Sequence, residues 1–164
     1  MKFIFNKLLL LVVIFSTLVG CETNEEGIFF NNITDVKEEY TEIELEIMNL
    51  VNNYRTENGL KKLEPLNIVS TVALSHTNYM VDMDTTSHDN FSTRQELLFE
   101  NAGAISVGEN VAYGFNSGQG AVSAWLKSVD HKSIIENENY THFGISIEKN
   151  SNGRNYFTQI FIKR

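Results

Sequence analysis

Cysteine is almost absent from this chain of 164 residues, which contains only Cys21. That residue follows directly on an apolar N-terminal run, so no cysteine remains for the folded part. Disulfides, thiolate metal ligands and cysteine nucleophiles are therefore excluded from the folded part. Its stability has to come from packing.

Basic residues are also scarce: 13 Lys and Arg stand against 21 Asp and Glu, for a formal net charge of -8 at pH 7. Nucleic acids attract proteins chiefly through clustered Lys and Arg that meet the phosphates. We therefore expect no nucleic-acid partner. The length leaves room for one hydrophobic core, so we expect a single domain, and we expect the chain to be a monomer.

No apolar run near the N-terminus is long enough to cross a membrane. The run Leu8–Val19 has about a dozen residues, whereas a spanning helix needs about 20. Preceded by Lys2 and Lys7, it is typical of an export signal. The tetrad "LVGC" that ends at Cys21 resembles a bacterial lipobox, in which the cysteine receives a diacylglycerol before the chain is cut.

This resemblance implies a lipoprotein signal peptide over residues 1–20 and a lipidated Cys21. The exported chain would then be lipid-anchored to the cell envelope, because acyl chains on Cys21 would attach it to the membrane, its expected partner. An uncleaved signal anchor and a plain secretory peptide are the alternatives. Residues 21–39 are polar and acidic with no sustained period, which predicts a tether before a domain over residues 40–164.

Helical periodicity dominates the first part of this domain. Thr41 and Glu44 have the spacing of a capping box, and the helix they open is predicted to end near Asn58 and Gly59. An apolar stripe predicts a second helix over residues 67–83. Third and fourth helices are predicted at "RQELLFENAG" and "GAVSAWLKS".

The end of the chain changes to alternation of period two. "THFGISIEK" and "NYFTQIFIK" flank the turn "NSNGR", which predicts a C-terminal hairpin. Helices followed by an antiparallel sheet indicate an α+β fold.

The four histidines of the chain differ in their contexts. His76 lies on the apolar stripe of the second helix, so we expect a buried imidazole bonded to a backbone carbonyl. His88 lies in the polar turn "TTSHDNF", where it stays accessible. His131 follows the fourth helix, whose C-terminus and Asp130 would favour its protonated form. His142 precedes a strand and has a structural role.

Glu109 stands alone between glycine and a short apolar run in "VGENVAYG". On its own, it could accept backbone N–H groups from a glycine-rich turn or from a helix start at "NVAYG". If it converges with His88 and His131, two imidazoles and one carboxylate would suit zinc-assisted hydrolysis. The spacing of these three residues is not a local motif, so the pattern alone leaves this open.

Segments spread over the domain resemble, in order, the CAP superfamily (cysteine-rich secretory proteins, antigen 5, pathogenesis-related 1), also called the SCP domain. They are "NLVNNYRTENGLKKLEPLN", "ALSHTNYMVDM", "SHDNFSTR", "VGENVAYG", "AVSAWLKSVDHKSII", "HFGISIE" and "YFTQIFI". The resemblance implies an α-β-α sandwich with a central antiparallel sheet. It also implies a central cleft that contains His88 and Glu109.

In familiar eukaryotic members the cleft holds a second glutamate and a second histidine, which match Ser128 and His131 here. Asp130 departs from the glycine that normally precedes this histidine. The resemblance implies that Zn2+ or another divalent cation binds His88 and His131, with Glu109 as a third ligand or a proton acceptor. A Ser128–His131 nucleophile pair is an alternative, although no oxyanion hole accompanies it.

Three functions are compatible with this pattern. The first is a binding module for a lipid, a sterol, cell-wall material or another protein, which the family resemblance implies. The second is an envelope hydrolase of peptide or peptidoglycan bonds with His88, Glu109 and His131 as catalytic residues. The third is a structural or adhesive lipoprotein whose cleft residues only form a hydrogen-bond network.

Overall fold

A computed structural model describes residue 37 and residues 39–164 of the chain. The predicted signal peptide, Cys21 and all of the tether except Lys37 and Glu39 lie outside the described residues. In chain order the elements are α1 (Glu42–Glu57), β1 (Glu64–Pro65), α2 (Asn67–Asp82), α3 (Phe91–Ala102), β2 (Ser106–Tyr113), α4 (Gly118–Lys127), α5 (Val129–Ile135), β3 (His142–Lys149) and β4 (Asn155–Lys163).

The predicted helix starts and stops follow from local side-chain chemistry. Thr41 and Glu44 form the expected capping box: the Thr41 hydroxyl accepts the Glu44 N–H, and the Glu44 carboxylate accepts the Thr41 N–H at 2.8 Å. Helix α1 ends at the cap residue Asn58, and α3 ends at Gly103, whose φ of 62° lies in the left-handed region. Glycine adopts this conformation without a steric penalty, which explains the stop at Gly103.

One mixed sheet of four strands, in the order β1-β3-β4-β2, forms the centre of the domain. Strands β3 and β4 form the predicted C-terminal hairpin, and β2 pairs antiparallel with the other side of β4. The short β1 pairs with β3 in parallel, at Glu64 with His142 and at Pro65 with Phe143. The sheet is thus mainly antiparallel, and β2 is an edge strand among the described residues.

Helices cover both faces of this sheet. Along β4, Ile160 and Ile162 pack with α2 and α3, while Phe157 and Phe161 pack with α1, α4 and α5 on the opposite face. All four side chains are fully buried. Because successive strand side chains alternate between faces, a strand buried on both sides is apolar on both. This is the expected α-β-α sandwich.

Three elements were absent from the sequence-based predictions. Strand β2 replaces the predicted glycine-rich turn or helix start, because residues 106–113 pair with β4 over their whole length. Helix α5 follows α4 after a single extended residue, Ser128, with φ −90° and ψ 126°. The short β1 joins the sheet beside β3. Each of these depends on contacts with distant parts of the chain.

Candidate functional site

Strand β2 carries Glu109 into the interior of the domain. Glu109 lies opposite Ile160 of β4, and it points to the sheet face covered by α2 and α3. It is 4% exposed, so its carboxylate needs partners inside the protein. Of the alternatives for Glu109, the structure does not have the one in which it accepts backbone N–H groups from a turn, because its hydrogen-bond partners are side chains.

Arg94 of α3 is the main partner of this carboxylate. Its Nε donates to Glu109 Oε2 at 2.7 Å and its Nη2 to Glu109 Oε1 at 2.6 Å. The Arg94 side chain is 0% exposed and that of Glu109 is 1% exposed. Such a bidentate contact fixes both the position and the plane of the carboxylate. Glu109 is therefore a clamped, buried anion.

His88 completes the contact set of Glu109 from the cleft side. Its Nδ1 lies 2.8 Å from Glu109 Oε1, while its side chain is 50% exposed. An ionised carboxylate can only accept hydrogen bonds, so this contact requires the proton of His88 to be on Nδ1. The Nε2 atom is then left on the opposite side of the ring. The structure thus brings His88 and Glu109 together.

The protonation of Glu109 follows from these contacts. Burial by itself raises the pKa of Glu109, but hydrogen bonds from His88 and Arg94 and the charge of Arg94 outweigh it, so the pKa is lowered. Glu109 is consequently ionised at neutral pH. A carboxylate with a lowered pKa is a poor proton acceptor.

His76 of α2 lies under the same carboxylate. As expected, it is buried and bonded to a backbone carbonyl, with Nε2 at 2.8 Å from the oxygen of Ser87. The same nitrogen lies 3.8 Å from Glu109 Oε1. Burial lowers the pKa of His76, with the Glu109 charge opposing and the Arg94 charge adding to the effect. Its imidazole is thus held neutral.

His131 lies just beyond the end of α4, as expected, but a further helix begins there at once. It lies in the first turn of α5, where the helix dipole disfavours a positive charge. Its pKa is lowered, first by burial and then by the charge of His88, although Asp130 opposes this. The expected preference for the protonated form is therefore wrong. Asn110 of β2 donates to the His131 backbone carbonyl at 3.2 Å and so ties α5 to the sheet.

Ser128 occupies the junction of α4 and α5. Its carbonyl accepts the Lys132 N–H at 2.9 Å, which starts α5. Within the described part of the chain, no hydrogen bond joins its hydroxyl to His131. The geometry thus gives no support to a Ser128–His131 nucleophile pair.

A cleft of about 340 Å3 opens over His88 and Glu109. Its walls are mostly aromatic and aliphatic, and its polar groups are concentrated at one place, which is typical of small-molecule sites. The cleft is lined by His88, Phe91, Val107, Gly108, Glu109, Ile134 and Tyr140. His131 and Ser128 do not line this cavity. A protonated His88 would nevertheless disfavour a charge on His131, so the two imidazoles are electrostatic neighbours.

Among the described residues, no group of three or more His, Cys, Asp or Glu side chains is arranged to hold a metal ion. Glu109 explains part of this finding, because Arg94 and His88 occupy both of its oxygens. The structure therefore brings Glu109 together with His88, but not with His131 as a third ligand.

Arg94 is the residue that the sequence-based reasoning missed. It shares the buried face of α3 with Leu98 and Ala102, four and eight positions further along. A charged residue at the start of such an apolar row needs a buried counter-charge, because a buried unpaired ion is costly. That spacing was the available signal.

No helix within the described part of the chain is long and apolar enough to cross a membrane. Residues 48–161 match the family described as CAP: Cysteine-rich secretory protein family. The uncharacterized membrane protein YlbC of Bacillus subtilis (strain 168) is 35% identical over 127 residues, which cover 76% of this chain and 35% of YlbC.

The uncharacterized protein YkwD of the same organism is 27% identical over 135 residues, or 80% of this chain and 51% of YkwD. This chain therefore spans about half or less of the length of these curated relatives. What those whole proteins do is not carried over by the similarity.

Solved structures show the same fold. An extracellular protein containing an SCP domain from Bacillus anthracis str. Ames superposes with a TM-score of 0.65 at 28% identity, covering 74% of this chain and 40% of that chain. An outer surface protein from Borrelia burgdorferi gives a TM-score of 0.67 at 22% identity, covering 79% and 99%. With the family match extending over most of the domain, the chain belongs to the CAP family of cysteine-rich secretory proteins.

Proposed function

We propose that the domain is a ligand-binding module at the cell envelope, and that a divalent cation, such as Zn2+, binds at the edge of its cleft on His88 and the neighbouring His131. The observation that carries the proposal is the hydrogen bond from His88 Nδ1 to the clamped carboxylate of Glu109. Metal-binding histidines usually donate their second ring N–H to a carboxylate in this way, which fixes the ring and its tautomer.

The available donor atoms fit such a cation. His88 is half-exposed, and its Nε2 atom lies on the side of the ring away from Glu109. The lowered pKa of His131 favours its neutral imidazole, the form that binds metals. Two imidazoles, with water or ligand in the remaining positions, suit zinc. A bound zinc ion would polarise an oxygen of the ligand. Glu109 supports this set as a hydrogen-bond acceptor of His88.

The state of Glu109 favours binding over hydrolysis. A general base needs a pKa near the working pH, whereas Arg94 and His88 keep the pKa of Glu109 low. Glu109 would have to leave Arg94 before it could act as a base or as a third metal ligand. An envelope hydrolase that uses His88, Glu109 and His131 is therefore the weaker candidate.

The cleft walls indicate the class of ligand. Phe91, Val107, Ile134 and Tyr140 offer apolar contacts next to the polar His88 and Glu109. A ligand with an apolar body and one polar group would use both parts, as a lipid, a sterol, a cell-wall fragment or a protein side chain can. A lipid on Cys21 would hold the module at the envelope membrane where such ligands occur.

Zinc affinity tests the proposal most simply. Calorimetry on residues 22–164, which contain every described helix and strand, should give a weaker affinity for His88→Ala and His131→Ala by at least about tenfold, or about 1.4 kcal/mol. His142→Ala is the matched control, because that imidazole lies at the start of β3, 3.7 Å from the exposed Glu64. Equal, weak binding by all four proteins would refute the cation site.

Two further measurements separate the alternatives. Incubation with purified peptidoglycan should release no product, whereas product from the wild type that is lost in Glu109→Gln would favour the hydrolase. For the anchor, Cys21→Ser should abolish lipid labelling and block cleavage before residue 21. Normal labelling of that variant would contradict the lipoprotein assignment.

A further inference from the structure

The short loop that carries His88 is held from two helices at once. On the α2 side, His76 Nε2 lies 2.8 Å from the carbonyl oxygen of Ser87. On the α3 side, Arg94 Nη1 donates to the carbonyl oxygen of Asp89 at 2.6 Å. Both donors are fully buried. The residues directly before and after His88 are therefore each fixed by a buried side chain.

A third contact strengthens the same loop. The Tyr79 hydroxyl of α2 donates to Asp89 Oδ2 at 3.2 Å, and the Tyr79 ring stacks on His76 at 5.9 Å between centroids. The loop needs such support, because it ends at Asn90 with a φ of 58°. A left-handed conformation is unfavourable for a residue other than glycine unless the surroundings impose it.

Arg94 links the loop to the carboxylate as well. One of its nitrogens holds the Asp89 carbonyl while the other two hold the oxygens of Glu109. The acceptor of the His88 ring and the backbone beside His88 are thus fixed by one rigid guanidinium. Lysine has a single nitrogen and could not hold three acceptors in this geometry.

We propose that Arg94 and His76 are positioning residues: together they clamp the backbone on both sides of His88 and keep its Nε2 atom directed into the cleft. Neither touches a ligand. Because they order His88 in advance, less conformational entropy is lost when a ligand binds. The metal readout below rests on the proposed function, whereas the NMR readouts do not.

His76 offers a matched pair of variants on residues 22–164. A glutamine at position 76 can still donate to the Ser87 carbonyl, whereas a leucine of similar size cannot. In His76→Leu the amide exchange of residues 87–89 should speed up by at least about tenfold and the zinc dissociation constant should rise by about 10-fold to 100-fold. His76→Gln should recover most of both.

Arg94 is tested through the ring of His88. In the wild type, the 15N shifts of that ring should show the Nδ1–H tautomer, and Arg94→Met should mix the tautomers and speed up exchange at residues 87–89. Arg94→Lys should leave exchange fast, because it cannot hold the Asp89 carbonyl and Glu109 together. Arg154→Met, at an exposed turn residue, is the control and should change nothing.

Equal behaviour of His76→Gln and His76→Leu, or wild-type exchange in Arg94→Lys, would overturn the clamp. If Arg94→Met does not fold, Arg94→Lys carries that part of the test. If the NMR effects appear but the wild type binds no zinc, the clamp stands and the proposed cation site fails.

Discussion

Replacing Glu109 by glutamine changes the shape of the site little and its charge completely. In the wild type, one carboxylate oxygen accepts from Arg94 Nε and the other from Arg94 Nη2 and His88 Nδ1. The NH2 group of a glutamine would have to take one of these two places. Either choice sets a donor against a donor and leaves Arg94 as a buried cation without its counter-charge.

The cost follows from the burial of the pair. Both side chains are at most 1% exposed, so water cannot replace the lost partner. Removing one member of a buried ion pair usually costs about 3–5 kcal/mol of the free energy of unfolding, and we expect Glu109→Gln to fall in that range. Glu96→Gln, at an exposed position of α3, should change the free energy of unfolding by less than about 0.5 kcal/mol.

Urea unfolding, followed by circular dichroism, measures both variants. The expected result is a lower midpoint for Glu109→Gln with an unchanged slope, since the fold and the surface exposed on unfolding stay the same. Arg94→Met and the double variant complete a cycle that isolates the coupling of the two residues. A loss below about 1 kcal/mol in Glu109→Gln, or no coupling in the cycle, would show that the pair is not the buried clamp described above.

Three other consequences are measurable by the same unfolding assay. The pKa of His76 is below its usual 6.5, so near this pH the unfolded chain binds a proton that the folded chain does not. The free energy of unfolding should therefore fall as the pH drops below about 6.5, and it should fall less in His76→Gln. The Lys37 ammonium pairs with the carboxylate of Glu44, which is fully buried. Lys37→Met removes this cation and should lower the free energy of unfolding by about 3–5 kcal/mol, whereas a loss near zero would contradict the pairing. A Cβ on Gly108 would lie 2.4 Å from the Tyr140 hydroxyl, so Gly108→Ala should cost about 1–3 kcal/mol, and an unchanged midpoint would refute the close contact.

Local chemistry made part of the fold predictable. The capping box at Thr41 and Glu44, the glycine stop at Gly103 and the alternation of the C-terminal hairpin all depend on residues close in sequence. Strand β2 depends instead on pairing with β4, from Ser106 with Lys163 to Tyr113 with Tyr156. The central residues Gly108, Glu109 and Asn110 are of types with weak strand propensity, so this distant pairing overrides the local preference.

The candidate site was predictable only in part. The family resemblance placed His88 next to Glu109, and the distance from His88 Nδ1 to Glu109 Oε1 is 2.8 Å. The local sequence put His131 beyond a helix end and not in a further helix, because α5 starts only one residue after α4 and has no side-chain cap of its own. Arg94 was missed because its counter-charge, Glu109, comes from another element, so that the spacing along α3 showed an odd buried charge without showing its partner.

Anomalous diffraction from crystals soaked in zinc shows whether a cation binds to His88 and His131. The proposed site predicts one ion bonded to a ring nitrogen of each histidine at about 2.0–2.1 Å, with Glu109 still held by Arg94 and bonded to His88 Nδ1. An ion bound to Glu109 in place of Arg94, or zinc density found only away from both histidines, would contradict it.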